Sequence, residues 1–378
     1  MDSGLRARQR QRHRQRQRRN RRNFILFCVA VVFIIIFSIC MKGCGGKDET
    51  KEAQTPAPTP TPAPVATPEP QKVPQNVDEI IAEMSLDDKI LQLMIVDIDT
   101  LTGVSNTTLY GNTSMKKITD YPVGGLVYDS GNIESKSQAT VMLSNTQNQY
   151  ISENYVPAFL ATTESAGDIS AIAQTLMTDP SSELAYNSGA GTANNLKSFG
   201  FNLNLSPYVA MNETDDTENF SSAAAGIGNG MRDGRVIPLY NKFPQQMITS
   251  TSKEQAMEKE LFPWRIIIQG GADMIMMSET PVPALTGVTE PYLASSFIET
   301  TLRSEMDFSG VIVTPPLSGL PTEKYIEALL AGCDMLYLPD SIDAAKQAVK
   351  DAVTQGVITE DRITQSVRRV LLLKKSLG

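Results

Sequence analysis

Two glutamates each stand just past a short apolar run: Glu164 follows "AFLATT" and Glu279 follows "DMIMMS". Runs of that kind read as strands, and two carboxyls at strand ends can face one pocket and divide acid and base roles without a histidine. The same glutamates read equally as solvated loop residues or as partners of Lys242 or Arg265. A third run, "GVIVTPPLSG" from Gly310 to Gly319, passes into Pro315 and Pro316. Proline has no nucleophilic atom, fixes φ and removes an amide donor, so this strand end is stiffened. Other chemistry is sparse. The single histidine is His13, and the four cysteines, Cys28, Cys40, Cys44 and Cys333, have no zinc spacing and build no disulfide framework in the body of the chain. The acidic "NETDDTEN" from Asn212 to Asn219 lacks the glycine and closing glutamate of an EF-hand loop and reads as solvated. Trp264 reads as core rather than as a stacking platform. No cofactor and no metal is implied.

These residues need elements to hold them. From Val77 onward eight short apolar runs alternate with helix-length material: "MIVD", "GLVY", "AFLA", "NLNLS", "VIPLY", "DMIMMS", "VIVT" and "MLYL". Strands alternating with helices imply parallel βαβ units, and eight of them match a closed (β/α)8 TIM-type barrel; an open doubly wound sheet is the alternative. Helix ends are legible too. Ser85 is placed to cap a helix with Asp88 completing a capping box, and Thr359 to cap a closing amphipathic helix. Ile363, Val367, Val370 and Leu371 form the apolar face of that helix, and Lys374 and Lys375 suit the negative end of its dipole.

Ahead of the body the composition changes three times. Residues 1–23 hold ten arginines and one acid, while the remaining residues carry 24 basic and 41 acidic side chains, a balance of −17. Residues 24–41, "FILFCVAVVFIIIFSICM", are 18 uncharged residues, about 27 Å as a helix and long enough to cross a bilayer core. Arginines on one side and an acidic body on the other predict a single-pass anchor with a cytoplasmic N-terminus and an extracytoplasmic body at the cell membrane. A cleaved signal peptide, a lipoprotein acylated at Cys44, and a nucleic-acid-binding arm are the alternatives. The span beside the arginines accounts for them without nucleic acid, and no A-x-A-like cleavage site follows. Residues 42–76 form a linker with eight prolines in "KDETKEAQTPAPTPTPAPVATPEPQKVPQN", an extended spacer. The barrel is expected over residues 77–378.

Across the body, short motifs occur in an order that resembles the N-terminal barrel of glycoside hydrolase family 3, most closely its single-domain bacterial β-N-acetylhexosaminidases. They are "MSLDDKILQLMIV", "VGGLVYDSGNI", "FGFNLNLSP", "LFPWRIIIQGGADMIMMS", "LRSEMDFSGVIVT", "ALLAGCDMLYLP" and "AVTQGVITEDRITQSVRRVLLLK". The resemblance implies the barrel, hydrolysis of glycosides through a nucleophile and an acid, and amino-sugar glycans such as peptidoglycan as the ancestral ligand.

The site residues that the resemblance implies are degenerate here. The nucleophilic Asp after the seventh strand falls on Pro315. The K-H-F-P-G stretch that precedes the family's Asp and His acid pair reads "NKFPQQ", with Asn241 and Lys242 in the K-H places and no histidine in the loop. The sugar-binding D-x-E-G-G reads "TESAG", placing Thr163 at the Asp, Glu164 beside it and Ser165 at the Glu. Ala210 stands at the Asp of P-V-x-D-V, "ENFSS" replaces R-S-F-G, and Glu279 falls at the His of M-x-x-H. Thr163, Glu164, Lys242 and Glu279 are therefore the expected ligand-facing residues, and Glu164 and Glu279 the only substitute carboxylates. The expected function is a membrane-tethered barrel that has lost catalysis and binds or scaffolds in the cell envelope, its partner a glycan or an envelope protein. The alternatives are an active glycosidase using those two glutamates, and a barrel serving another small ligand.

Overall fold

The computed structural model describes residues 76–154, 156–162, 182–205, 217–244 and 250–377. The expected membrane span 24–41, Cys44 and all of the linker except Asn76 lie outside the described residues. Among the described residues no helix is long and apolar enough to cross a membrane.

All eight apolar runs are strands: β1 (Met94–Asp97), β2 (Gly125–Tyr128), β3 (Phe159–Thr162), β4 (Leu203–Asn204), β5 (Ile237–Phe243), β6 (Met274–Met277), β7 (Val311–Pro316) and β8 (Met335–Tyr337). They pair in chain order, all parallel, and the sheet closes on itself where Met94 pairs with Leu336 and Ile95 with Tyr337. That pairing selects the (β/α)8 barrel over the open doubly wound sheet. β2, β3 and β6 are buried along their whole length, as strands must be when side chains fill the barrel on one face and helices cover the other. β5 and β7 run past the apolar stretch that marks them in sequence, into "NKF" and "PP", and both break register there.

Local signals account for the helix ends. Ser85 and Asp88 form a reciprocal capping box on Leu86–Gln92, satisfying two otherwise orphaned amides. Thr359 accepts from the Arg362 amide at the start of Glu360–Lys375, and Ile363, Val367, Val370 and Leu371 of that helix are buried. Each such side chain contributes roughly 1.5–3 kcal/mol by leaving water. Trp264 is core as expected: it is fully buried, edge-on to Phe243 at 5.0 Å.

Lys374 stands in the last turn of the closing helix, as expected, and it is also enclosed. Its side chain is wholly buried, with Nζ 2.8 Å from Gln92 Oε1 and 5.1 Å from the centre of the Phe159 ring. Burial alone pulls its pKa down to about 7. The helix turns this residue inward beside Leu371, beneath the barrel, so packing position and not the macrodipole sets its environment.

A second buried charge closes the barrel. Asp334, just before β8, is fully buried and receives Arg303 Nη2 at 2.7 Å, Arg369 Nη1 at 2.9 Å, Ser366 Oγ at 2.6 Å and the Ile312 amide at 3.0 Å. One carboxylate thereby ties β7 and β8 to the π-helical segment Phe297–Glu305 and to the closing helix. The helices Ser182–Phe199 and Thr217–Asp233 approach backbone to backbone: a Cβ on Gly189 would collide with the Ile227 carbonyl, and one on Gly230 with the Tyr186 carbonyl.

Candidate functional site

The mouth of the barrel lies at the C-terminal ends of the strands, where loops of this fold carry chemistry. Two of the expected ligand-facing residues, Lys242 and Glu279, are brought together there. β5 pairs with β6 through Asn241↔Met276 and then Phe243↔Met277, so Lys242 occupies the extra position between the two pairs. Its Nζ lies 2.6 Å from Glu279 Oε1. Lys242 is 19% exposed and Glu279 47% exposed, a pair at the rim. Beside them Asn241 Oδ1 is buried without a hydrogen-bond partner. Arg265, the other cation considered for Glu279, donates instead to the Met257 carbonyl. Thr163 and Glu164 lie outside the described residues, as do Ser165, Ala210, Gln245 and residues 212–216 of the acidic loop.

The β7 end is built around its prolines. Val313 pairs with Met335, and the next pair is Pro316 with Tyr337, so Thr314 and Pro315 form an irregular step. Thr314 is fully buried and its Oγ1 accepts from the Tyr337 amide at 3.0 Å, while the Leu317 amide returns to the Tyr337 carbonyl at 2.9 Å. A side-chain hydroxyl has taken the place of a ladder carbonyl, the kind of local repair that lets proline sit in a strand at a bulge. Pro315 is buried and Pro316 exposed. The strand end where the resemblance implies a nucleophile carries two prolines instead.

Carboxylates do gather on the opposite side, where β1 and β2 end, and the reading of the sequence missed them. Asp97 caps Ile98–Thr102, its Oδ1 accepting from the Asp99 amide at 2.7 Å and the Thr100 amide at 3.3 Å. Burial pushes its carboxyl above the ordinary range, with Asp99 and Asp129 adding to the effect, against the pull of those two amides. Asp99 accepts from the amides of Asn106 and Thr107 and from Asn132 Nδ2, and Asp129 from the Gly131 amide. Asp97 also adds to the burial that holds the Tyr337 phenol up at about 12. The signal was available: "MIVDID" and "VYDSGN" each place an Asp at or directly after a strand. All three carboxylates accept amides of their own loops, which makes them builders of the rim. Among the described residues no group of three or more His, Cys, Asp or Glu side chains could hold a metal ion.

Hydrolysis of a glycoside by this type of site needs two carboxyls flanking the scissile bond, about 5–5.5 Å apart for retention or about 6.5–9.5 Å for inversion. At the β5–β7 side of the mouth the described groups are one glutamate, the lysine paired with it, an amide oxygen and two prolines. Among these described groups Glu279 is the one carboxylate.

The fold agrees with what the chain is similar to. The family model described as the N-terminal domain of glycosyl hydrolase family 3 matches residues 85–373. A Beta-N-acetylglucosaminidase/beta-glucosidase of Cellulomonas fimi is 26% identical over 132 residues, which is 30% of this chain and 23% of that protein. Among solved structures, a family 3 β-N-acetylglucosaminidase from Paenibacillus sp. superposes with a TM-score of 0.66 at 23% identity, covering 78% of this chain and 63% of the other. A β-N-acetylhexosaminidase from Beutenbergia cavernae gives 0.63 at 21%, covering 78% of this chain and 99% of the other. At these identities the structural likeness is one of fold.

Proposed function

Because the chain belongs to glycosyl hydrolase family 3, through the N-terminal domain of that family, we propose that it is a catalytically silent member that binds amino-sugar glycan in the cell envelope. The observation that carries this reading is Pro315, buried near the end of β7, at the position where the resemblance implies the nucleophile. A nucleophile cannot be borrowed from either side: Thr314 is buried with its hydroxyl on the Tyr337 amide, and Pro316 is again proline. The rim pair Lys242–Glu279 remains as donor and acceptor for sugar hydroxyls. The glycan class follows from the relatives, which are β-N-acetylglucosaminidases and a β-N-acetylhexosaminidase.

In this reading residues 24–41 anchor the chain in the cell membrane, residues 1–23 remain on the cytoplasmic side, and the proline-rich linker 42–76 holds the barrel off the outer surface. An envelope protein is the other class of partner open to such a scaffold. The active-glycosidase reading needs Glu279 as a working carboxylate together with Glu164, and the ion pair with Lys242 weighs against it.

The test is co-sedimentation of the full chain with purified peptidoglycan, alongside assays of hydrolysis. Saturable binding without release of sugar supports the reading. Absence of binding removes the glycan role, and turnover removes the silence.

A further inference from the structure

A cavity of about 500 Å³ opens at the other end of the barrel, beneath the N-terminal ends of β3, β4 and β5. Its size falls within the range of small-ligand sites, about 300–1,000 Å³. The walls are apolar where helix Val77–Glu83, the closing helix and the approach to β4 meet, through Ile80, Leu371 and Phe201. The polar side chains are more telling. Lys197, Arg235, Lys374 and Lys375 all line it, and among the described residues no Asp or Glu does.

Four cations around one acid-free cavity invert the character of a chain whose residues beyond the basic tail carry a balance of −17. Among the described residues, neither Lys197, Arg235 nor Lys374 has a carboxylate partner. Lys197 is exposed at its helix end. Arg235 holds its Nη1 at 3.3 Å from the Leu377 carbonyl, and does so with φ +60°, a left-handed backbone that disfavours any side chain but is kept here for an arginine. Lys374 is buried in the wall, with only the neutral Gln92 oxygen and the Phe159 ring for company. Buried cations are ordinarily paired, and an anion seated in this cavity would supply the missing counter-charge.

We propose that this cavity binds a small amphipathic organic anion, its carboxylate or phosphate head held by Lys197 and Arg235 and its apolar body laid against Ile80, Phe201 and Leu371. Arginine and lysine give charge-assisted hydrogen bonds to either head group, and the apolar walls select against bare inorganic ions. The site is remote from the mouth and independent of glycan binding there.

Calorimetry on the full chain in lipid nanodiscs, with empty nanodiscs as blank, tests this with 4-phenylbutyrate, 4-phenylbutyl phosphate, 4-phenylbutanol and inorganic phosphate. Saturable binding of one or both organic anions with a Kd of about 1 mM or below is expected. The better of the two assigns the head group. The alcohol and inorganic phosphate should each bind at least about tenfold more weakly, and Lys197→Gln with Arg235→Gln should weaken the anion by about tenfold or more at an unchanged melting transition. If the double variant does not fold, Lys197→Gln alone, at an exposed position, is expected to weaken binding about threefold. Equal binding of the alcohol, unchanged affinity in the variants, or no saturable binding up to about 10 mM overturns the proposal.

Discussion

Lys242 and Glu279 meet at 2.6 Å across the ends of β5 and β6, each standing where the resemblance to family 3 places a histidine. Here the two positions hold the halves of an ion pair. Because Glu279 is about half exposed, solvent screens the pair and it should contribute about 1 kcal/mol or less to stability. Glu279→Gln is accordingly expected to shift the urea midpoint only slightly while weakening peptidoglycan binding. A loss of several kcal/mol would show the pair to be structural.

Asp334 is the opposite case. Truncation to Ala strands Arg303 and Arg369 around a buried vacancy and removes the acceptor of the Ile312 amide. The expected loss is about 3–5 kcal/mol by denaturant unfolding. A loss below about 1 kcal/mol would mean that the arginines find other partners.

Lys374 makes stability depend on pH in the alkaline range. Its folded pKa of about 7 lies below the ordinary lysine value of 10.5, which serves for the unfolded chain. Below about pH 7 both states hold the proton and the buried ammonium destabilises the fold in full. Between the two values the unfolded chain binds more protons than the folded one, so stability rises with pH. Replacement by Met removes this dependence. The advantage of Lys374→Met over the parent chain should therefore shrink by about 1 kcal/mol per unit from about pH 7 to about pH 9. Parallel stability curves for the two proteins would contradict a buried, titrating Lys374.

Gly189 and Gly230 let two helices touch through their backbones. Gly189→Ala places a methyl on the Ile227 carbonyl and should destabilise by about 1–3 kcal/mol, as overpacking does. Gly191→Ala, with open space at its Cβ, serves as the control and should be neutral or slightly stabilising.

The strands were legible because each is a short run buried on both faces, and the barrel followed from their number and alternation. The caps at Ser85 and Thr359 were legible because a single side chain and its own backbone make them. Pro315 could be placed because an ordered set of motifs fixes the seventh strand. What sequence did not disclose depends on contacts distant along the chain. Lys374 reads as a surface lysine until Gln92 and Phe159 are seen to enclose it. The basic cavity draws Lys197, Arg235 and Lys374 from three separate segments, and no local pattern joins them. The Asp97 and Asp129 rim was the exception, visible in "MIVDID" and "VYDSGN" but missed.

The central claim is that this barrel does not cleave glycosides, and the most direct measurement is hydrolysis of chromogenic β-N-acetylglucosaminide and β-glucoside by the full chain. Release no faster than the buffer blank is expected, for the parent chain and for Pro315→Asp alike, since a nucleophile without a partner acid cannot complete the reaction. Turnover by the parent chain that disappears in Glu279→Gln would contradict the claim.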